Sequence, residues 1–374
     1  MDRSAFAYAL AAILIPSIAA AQQSANPPHE FAVAELASQP VSPSDQVQEN
    51  GPIEEYEVED NAVSVQQDVH TDGKSCLVEC CCPEPGFYFS AQTLVLHRDN
   101  QNRDRTIVEN ALTFASLVET NDFDFDWEVG QRVTIGRDDG CGGGVHFSYF
   151  QLDDWSDRVV VLGTNDLTLP NDIGLATFDF LDADRMQLDY RAEVQNYEIN
   201  FTQTSCCDPC VQWLFGFRYL NLDEMFNINS FDPAFGTSDY NILARNDLYG
   251  GQFGVIVNHD DGCKGWRLTA KAGLFTNEAS QSTFLGDFNN TFVFRDLTAN
   301  KTNATFLGEV NLSAYWQLGC RTRLVAGYNL LWLEGIALAP QQLDFTDTPA
   351  SSNFVNTNGG ILMHGANVGL EVTW

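Results

Sequence analysis

The chain has 374 residues and a formal net charge of −32, with 51 Asp and Glu against 19 Lys and Arg. So acidic a chain excludes a reader of nucleic-acid backbone, which needs clustered basic residues. Aromatics make up 12% of it although the mean hydropathy is only −0.18. That balance suits sheets with one apolar and one polar face and excludes a bundle of membrane helices, each of which needs about 18 apolar residues or more.

Residues 1–21 read as a secretory signal: Arg3, a short apolar stretch from Phe6 to Ile18, and an A-x-A site at Ala19-Ala20-Ala21. Residues 22–79 hold 12 Asp and Glu and one basic residue, Lys74. With so little apolar surface to bury, residues 22–85 are predicted to be a disordered acidic periplasmic tail or linker. It ends in a cluster, Cys76, Cys80, Cys81 and Cys82.

From Gly86 onward the hydrophobic period is two. Val211, Trp213, Phe215, Phe217 and Tyr219 alternate with Gln212, Gly216 and Arg218. Ala304 to Leu318 repeats the pattern, as does Trp266 to Leu274. Successive strand side chains point to opposite faces, so each segment is two-faced. Ten such segments are predicted, near 86–97, 126–137, 144–160, 185–203, 211–223, 244–258, 266–277, 303–318, 323–337 and 361–374. One breaks phase: Met186 to Val194 carry the apolar set on even positions, Tyr197 to Phe201 on odd ones. A β-bulge near Gln195–Asn196 is therefore expected.

Connections alternate. Asp138–Gly143, Thr204–Cys210, Asp260–Gly265 and Gly319–Thr322 are short, whereas 98–125, 161–184, 224–243, 278–302 and 338–360 are long. Short turns on one side and long outside loops on the other are the pattern of an outer-membrane barrel. The predicted fold is all-β: a closed, antiparallel, up-and-down transmembrane barrel of about ten strands over 86–374, within a range of about 8–12. Val368, Leu370, Val372 and Trp374 close the chain with an alternating apolar strand and a terminal aromatic, which resembles the signal read by the barrel-assembly machinery. Trp127, Trp155, Trp213, Trp316, Trp332 and Trp374 are candidates for interface girdles. The remaining cysteines, Cys141, Cys206, Cys207, Cys210, Cys263 and Cys320, fall in or beside the short turns. In an exported protein all ten are disulfide candidates at the periplasmic rim. The Cys207-x-x-Cys210 spacing leaves a metal or redox pair as the rival reading.

The stretches NDFDFDWEVGQRVTIG (121–136), DRMQLDYRAEVQNYEIN (184–200), LFGFRYLNLDEMFNINS (214–230), SDYNILARNDLYGGQFG (238–254), GYNLLWLEGIALAPQQLDF (327–345) and HGANVGLEVTW (364–374) resemble the beta-barrel porin family 7 of planctomycete bacteria. The resemblance covers about 86–374. It implies a barrel in the bacterial outer membrane and supplies no catalytic residues.

The polar strand faces are expected to line the lumen. They carry Glu128, Arg132, Asp189, Arg191, Glu193, Arg218, Arg267, Lys271, Glu309, Arg323 and Glu371. Such a set either selects solutes by charge or fills a narrow barrel with ion pairs. Calcium at Asp122, Asp124, Asp126 and Glu128 is the lesser reading against a solvated acidic loop. No G-x-S-x-G or H-E-x-x-H pattern occurs, so the protein is read as no enzyme, with no metal or cofactor expected. The expected function is porin-like passive diffusion of small solutes. The alternative is a non-conducting structural or adhesive barrel with a filled lumen and ligand-binding outer loops. Expected partners are outer-membrane lipid, the barrel-assembly machinery and, through the acidic tail, other envelope components. The tail and the C-terminus are placed on the periplasmic side.

Overall fold

The computed structural model describes residues 86–100, 104–140, 143–204, 211–233, 236–287 and 291–374. The signal segment, the acidic tail and eight of the cysteines (76, 80, 81, 82, 141, 206, 207 and 210) lie outside them. The described chain forms twelve strands: β1 (Gly86–Asn100), β2 (Thr106–Asn110), β3 (Ser116–Glu119), β4 (Glu128–Asp138), β5 (Gly144–Thr168), β6 (Ala183–Thr204), β7 (Val211–Asp232), β8 (Gly236–Asp260), β9 (Lys264–Asp287), β10 (Val293–Gly319), β11 (Thr322–Ile336) and β12 (Gly359–Thr373). Ten of them close a ring in chain order, β1-β4-β5-β6-β7-β8-β9-β10-β11-β12, with β12 pairing antiparallel to β1. The small β2–β3 hairpin attaches to β5 at the loop end. The barrel and its strand number are as the alternation predicts. Closure leaves no open edge, so the backbone groups of the ring pair within it.

The predicted loop lengths need correction. Segments 224–243 and 278–302 are mostly strand: β7 runs to Asp232 before β8 starts at Gly236, and β9 runs to Asp287 before β10 starts at Val293. Their outward positions carry Asn and Asp, such as Asn227, Asn229, Asp239 and Asn241. These residue types are poor in β-propensity and conceal the strand. Segment 338–360 is a long connection, as expected, but it packs inward. Ala337, Leu338, Ala339, Leu343 and Phe345 are all buried to 1% exposure or less. Inward side chains hold the segment across the barrel mouth. Asn246 accepts from Ala337 N at 2.7 Å and donates to its carbonyl at 2.8 Å. The Tyr240 hydroxyl accepts from Asp344 N at 2.9 Å, and Arg295 donates to Asp344 O at 2.9 Å and Ser352 Oγ at 2.8 Å.

The expected bulge in β6 is also corrected. β6 pairs with β7 from Arg185–Phe231 to Thr204–Gln212 without a shift, and even positions stay buried from Met186 through Asn200. The extra residue lies on β5, between Leu152 and Trp155. What changes along β6 is polarity, not phase. Inward residues are Met186, Leu188, Tyr190, Ala192 and Val194 toward the loop end, then Asn196, Glu198 and Asn200 toward the turn end. Outward residues are Asp189, Arg191 and Glu193, then Tyr197, Ile199 and Phe201.

The same exchange recurs on β7, where Leu220, Leu222, Phe226 and Ile228 face in above Arg218, and Trp213, Phe215 and Phe217 face out below Asp223. The barrel is thus two stacked halves. The turn half shows an apolar belt outside and a polar interior, as lipid requires. The loop half has a close-packed interior rich in apolar side chains, with Phe125, Phe150, Trp155, Tyr190, Phe226, Tyr240 and Phe345 each at most 1% exposed around a few buried polar groups such as Asn246 and Arg295, inside a polar wall. Burying a large apolar side chain stabilises by about 1.5–3 kcal/mol. A four-strand row of tyrosines, Tyr149–Tyr197–Tyr219–Tyr249, marks the boundary outside. Phe87, Trp213, Trp266, Trp316 and Trp374 are exposed near the turn end. Trp155 belongs to neither girdle, being 1% exposed within the loop-half core.

Candidate functional site

Below the dry core the polar interior encloses a cavity of about 270 Å³ in the turn half. Arg132, Arg267, Lys271, Glu309, Arg323 and Glu371 line it, with Glu198, His146, Tyr88 and Tyr315. Arg218 is fully buried beside Glu198 and Glu309. Glu128 shares the face of Arg132 and pairs with Leu96, half-buried at the loop-end start of β4. Asp189, Arg191 and Glu193 do not reach the lumen. They stand on the outer wall, where Asp189 pairs with the exposed Arg158. The assumed bulge is the source of that misplacement: with the strand unbroken, these odd positions share a face with Tyr197, not with Glu198.

The centre of the interior is an ion network drawn from five strands. Arg218 donates to both Glu198 and Glu309. Lys271 Nζ lies 2.8 Å from Glu198 Oε2 and 3.0 Å from Glu309 Oε2. Arg132 approaches Glu309 at 3.7 Å. Glu198 also accepts from Gln252 Nε2 at 2.9 Å and from Asn196 and Asn200 at 3.0 Å each. Gly216 makes room for this arrangement, since a Cβ there would fall 1.9 Å from Asn200 Oδ1. Three cations thus share two buried carboxylates. Each charge depends on the others, because one left unpaired is strongly disfavoured. Toward the turn end, Arg323 pairs with Glu371 and lies over the Tyr315 ring, and Arg267 Nε donates to Asn258 at 2.9 Å.

Three residues of this interior, Glu198, Arg98 and Glu224, are absent from the sequence expectation. Glu198, the hub of the network, is hidden by the assumed bulge. Arg98 and Glu224 form a fully buried pair in the loop half, joined by the Tyr190 hydroxyl 3.0 Å from Glu224. Burial works against the Arg98 charge, but the carboxylate of Glu224 outweighs it and holds the guanidinium pKa above its ordinary value. No local pattern announces a pair 126 residues apart. Among the described residues Asp122, Asp124, Asp126 and Glu128 do not gather into one cation site; Asp122 instead accepts from Glu119 N at 2.7 Å. Cys263 and Cys320 are exposed on turns at the turn end.

The family model described as Putative beta barrel porin-7 (BBP7) matches residues 90–374. A comparison with curated proteins returns no match. Among solved structures, the outer membrane protease OmpT from Escherichia coli aligns at 9% identity over 80% of this chain and 100% of its own, with a TM-score of 0.41. The translocator domain of autotransporter NalP from Neisseria meningitidis aligns at 10% identity over 77% of this chain and 88% of its own, TM-score 0.37. A FadL homologue from Pseudomonas aeruginosa aligns at 7% identity over 78% and 90%, TM-score 0.26.

Proposed function

The chain belongs to the beta barrel porin-7 family, and from that premise we propose that it is a bacterial outer-membrane barrel that does not conduct, serving as a structural or ligand-binding element of the envelope. The observation that carries this reading is the filled interior. A solute entering the polar cavity meets the Arg218–Glu198–Glu309–Lys271 network and then a dry core spanning the loop half, closed by the inserted segment after β11. Crossing it would require displacing close-packed side chains, including the buried Arg98–Glu224 pair, which would be left without its partner. The turn end, which holds both ends of the ring, faces the periplasm in this reading, and the acidic tail is assigned to the same compartment. The polar wall of the loop half stands outside the membrane and offers the binding surface.

Passive diffusion of small solutes is the second reading, favoured by the charged cavity of about 270 Å³. Planar-bilayer recording separates the two, with a general porin inserted in the same membrane as a positive control. We expect no conductance steps from protein that migrates as a folded barrel on an unheated gel. Discrete steps at comparable protein load would overturn the non-conducting reading.

A further inference from the structure

The seam where the first and last strands meet carries a cluster that the lumen does not use. His97 on β1 lies directly opposite His364 on β12, and their rings are 5.5 Å apart. Asp99, two residues along β1, points to the same outer face. A direct cross-strand pair and its i+2 neighbour are the closest side chains a sheet surface offers.

The distances suit a metal better than hydrogen bonds. His97 Nδ1 is 3.6 Å from Asp99 Oδ1, and His364 Nε2 is 3.4 Å from Asp99 Oδ2. Bonds of about 2.0–2.1 Å to a tetrahedral zinc ion separate its ligands by about 3.4 Å. His97 Nδ1 is buried and has no hydrogen-bond partner among the described residues.

The far side of each ring faces a polar group, and that of His364 is hydrogen-bonded. His97 Nε2 faces Asp124 Oδ1 at 3.4 Å, and His364 Nδ1 bonds the Tyr328 hydroxyl at 2.7 Å. The Tyr328 hydroxyl orients the His364 ring and the Asp124 carboxylate faces the far nitrogen of His97, which leaves His97 Nδ1 and His364 Nε2 for the ion. Trp127 covers one side, with its ring 5.4 Å from that of His97 and 5.7 Å from that of His364. Asp99 is half-exposed, so a fourth position is open to water.

We propose that His97, His364 and Asp99 bind one divalent transition-metal ion of the zinc class on the outer wall, at the loop-end margin of the apolar belt. Two imidazoles and one carboxylate favour zinc and its neighbours over the hard cations magnesium and calcium. The ion straps β1 to β12 and so locks the closure of the ring.

The test uses full-length protein, refolded in detergent and stripped with chelator, titrated with Zn²⁺ in a calorimeter. The cysteines and tail histidines are common to wild type and variants, so the difference between isotherms is the readout. Wild type should bind one Zn²⁺ per chain more than H97Q/H364Q, and Zn²⁺ should raise the temperature at which only the wild type loses its folded gel migration. Identical isotherms from two folded proteins would overturn the site. If the double variant does not fold, D124N and Y328F, which keep all three ligands, take its place: a loss of affinity of about tenfold or more supports the site, and unchanged affinity refutes it.

Discussion

The turn half and the loop half of this barrel are built from the same ring of ten strands, yet they solve opposite solvation problems. On β7, Phe215 and Phe217 are more than half exposed while Phe226 on the same strand is fully buried. Nothing in the backbone changes between them. The surroundings change: apolar belt outside and ions within at one level, polar wall outside and dry packing within at the next. Two-residue alternation says that a strand has two faces, and the solvent at each height decides which of them is apolar.

That contrast can be broken at chosen positions. The largest effect is expected from truncating a charge in the buried network. R218A leaves Glu198 and Glu309 short of a partner and should cost about 3–5 kcal/mol in urea unfolding from vesicles. R191A, on the outer wall of β6, should stay within about 0.5 kcal/mol. Equal effects would mean that the two arginines do not stand on opposite faces.

A smaller loss follows from apolar truncation. L222A opens a cavity in the loop-half core and should cost about 2–5 kcal/mol. L312A, which is 52% exposed on the belt, should cost less, because a lipid chain can occupy the space. The reverse order would place the membrane around the wrong half.

The smallest effect concerns pH. Burial first, then the neighbouring Glu224, pushes the Tyr190 hydroxyl well above the ordinary phenol range, and burial likewise raises Tyr240. A raised folded-state pKa contributes stability that is complete below the unfolded value, about 10, and is lost as pH rises toward the folded one. The loop half should therefore loosen above about pH 10, seen as a change in Trp155 emission in a variant lacking the other tryptophans. Y240F should reduce the dependence, and an unaltered profile would argue against these buried hydroxyls as its source.

Much of the fold is legible in the chain. The strand number and the four short turns follow from period-two patterning broken by Gly, Asp and Pro. Arg132, Arg267, Lys271, Glu309, Arg323 and Glu371 are found where their alternation with Trp, Leu and Phe on the belt puts them. The errors share one origin. Reading every polar face as lumen is right only inside the membrane. Carried above it, the same rule turns Asp189, Arg191 and Glu193 inward, requires a bulge in β6, and hides Glu198.

Sequence by itself determined that this is a ring of about ten two-faced strands, because side-chain alternation is a local property of extended chain. Only the tertiary structure decided which half is dry, which segment folds into the mouth, and that His97 meets His364 across the closing seam. Those outcomes depend on groups far apart in the chain arriving at one height in the barrel. Whether a charge is stable there depends on what arrives beside it, which no local pattern encodes.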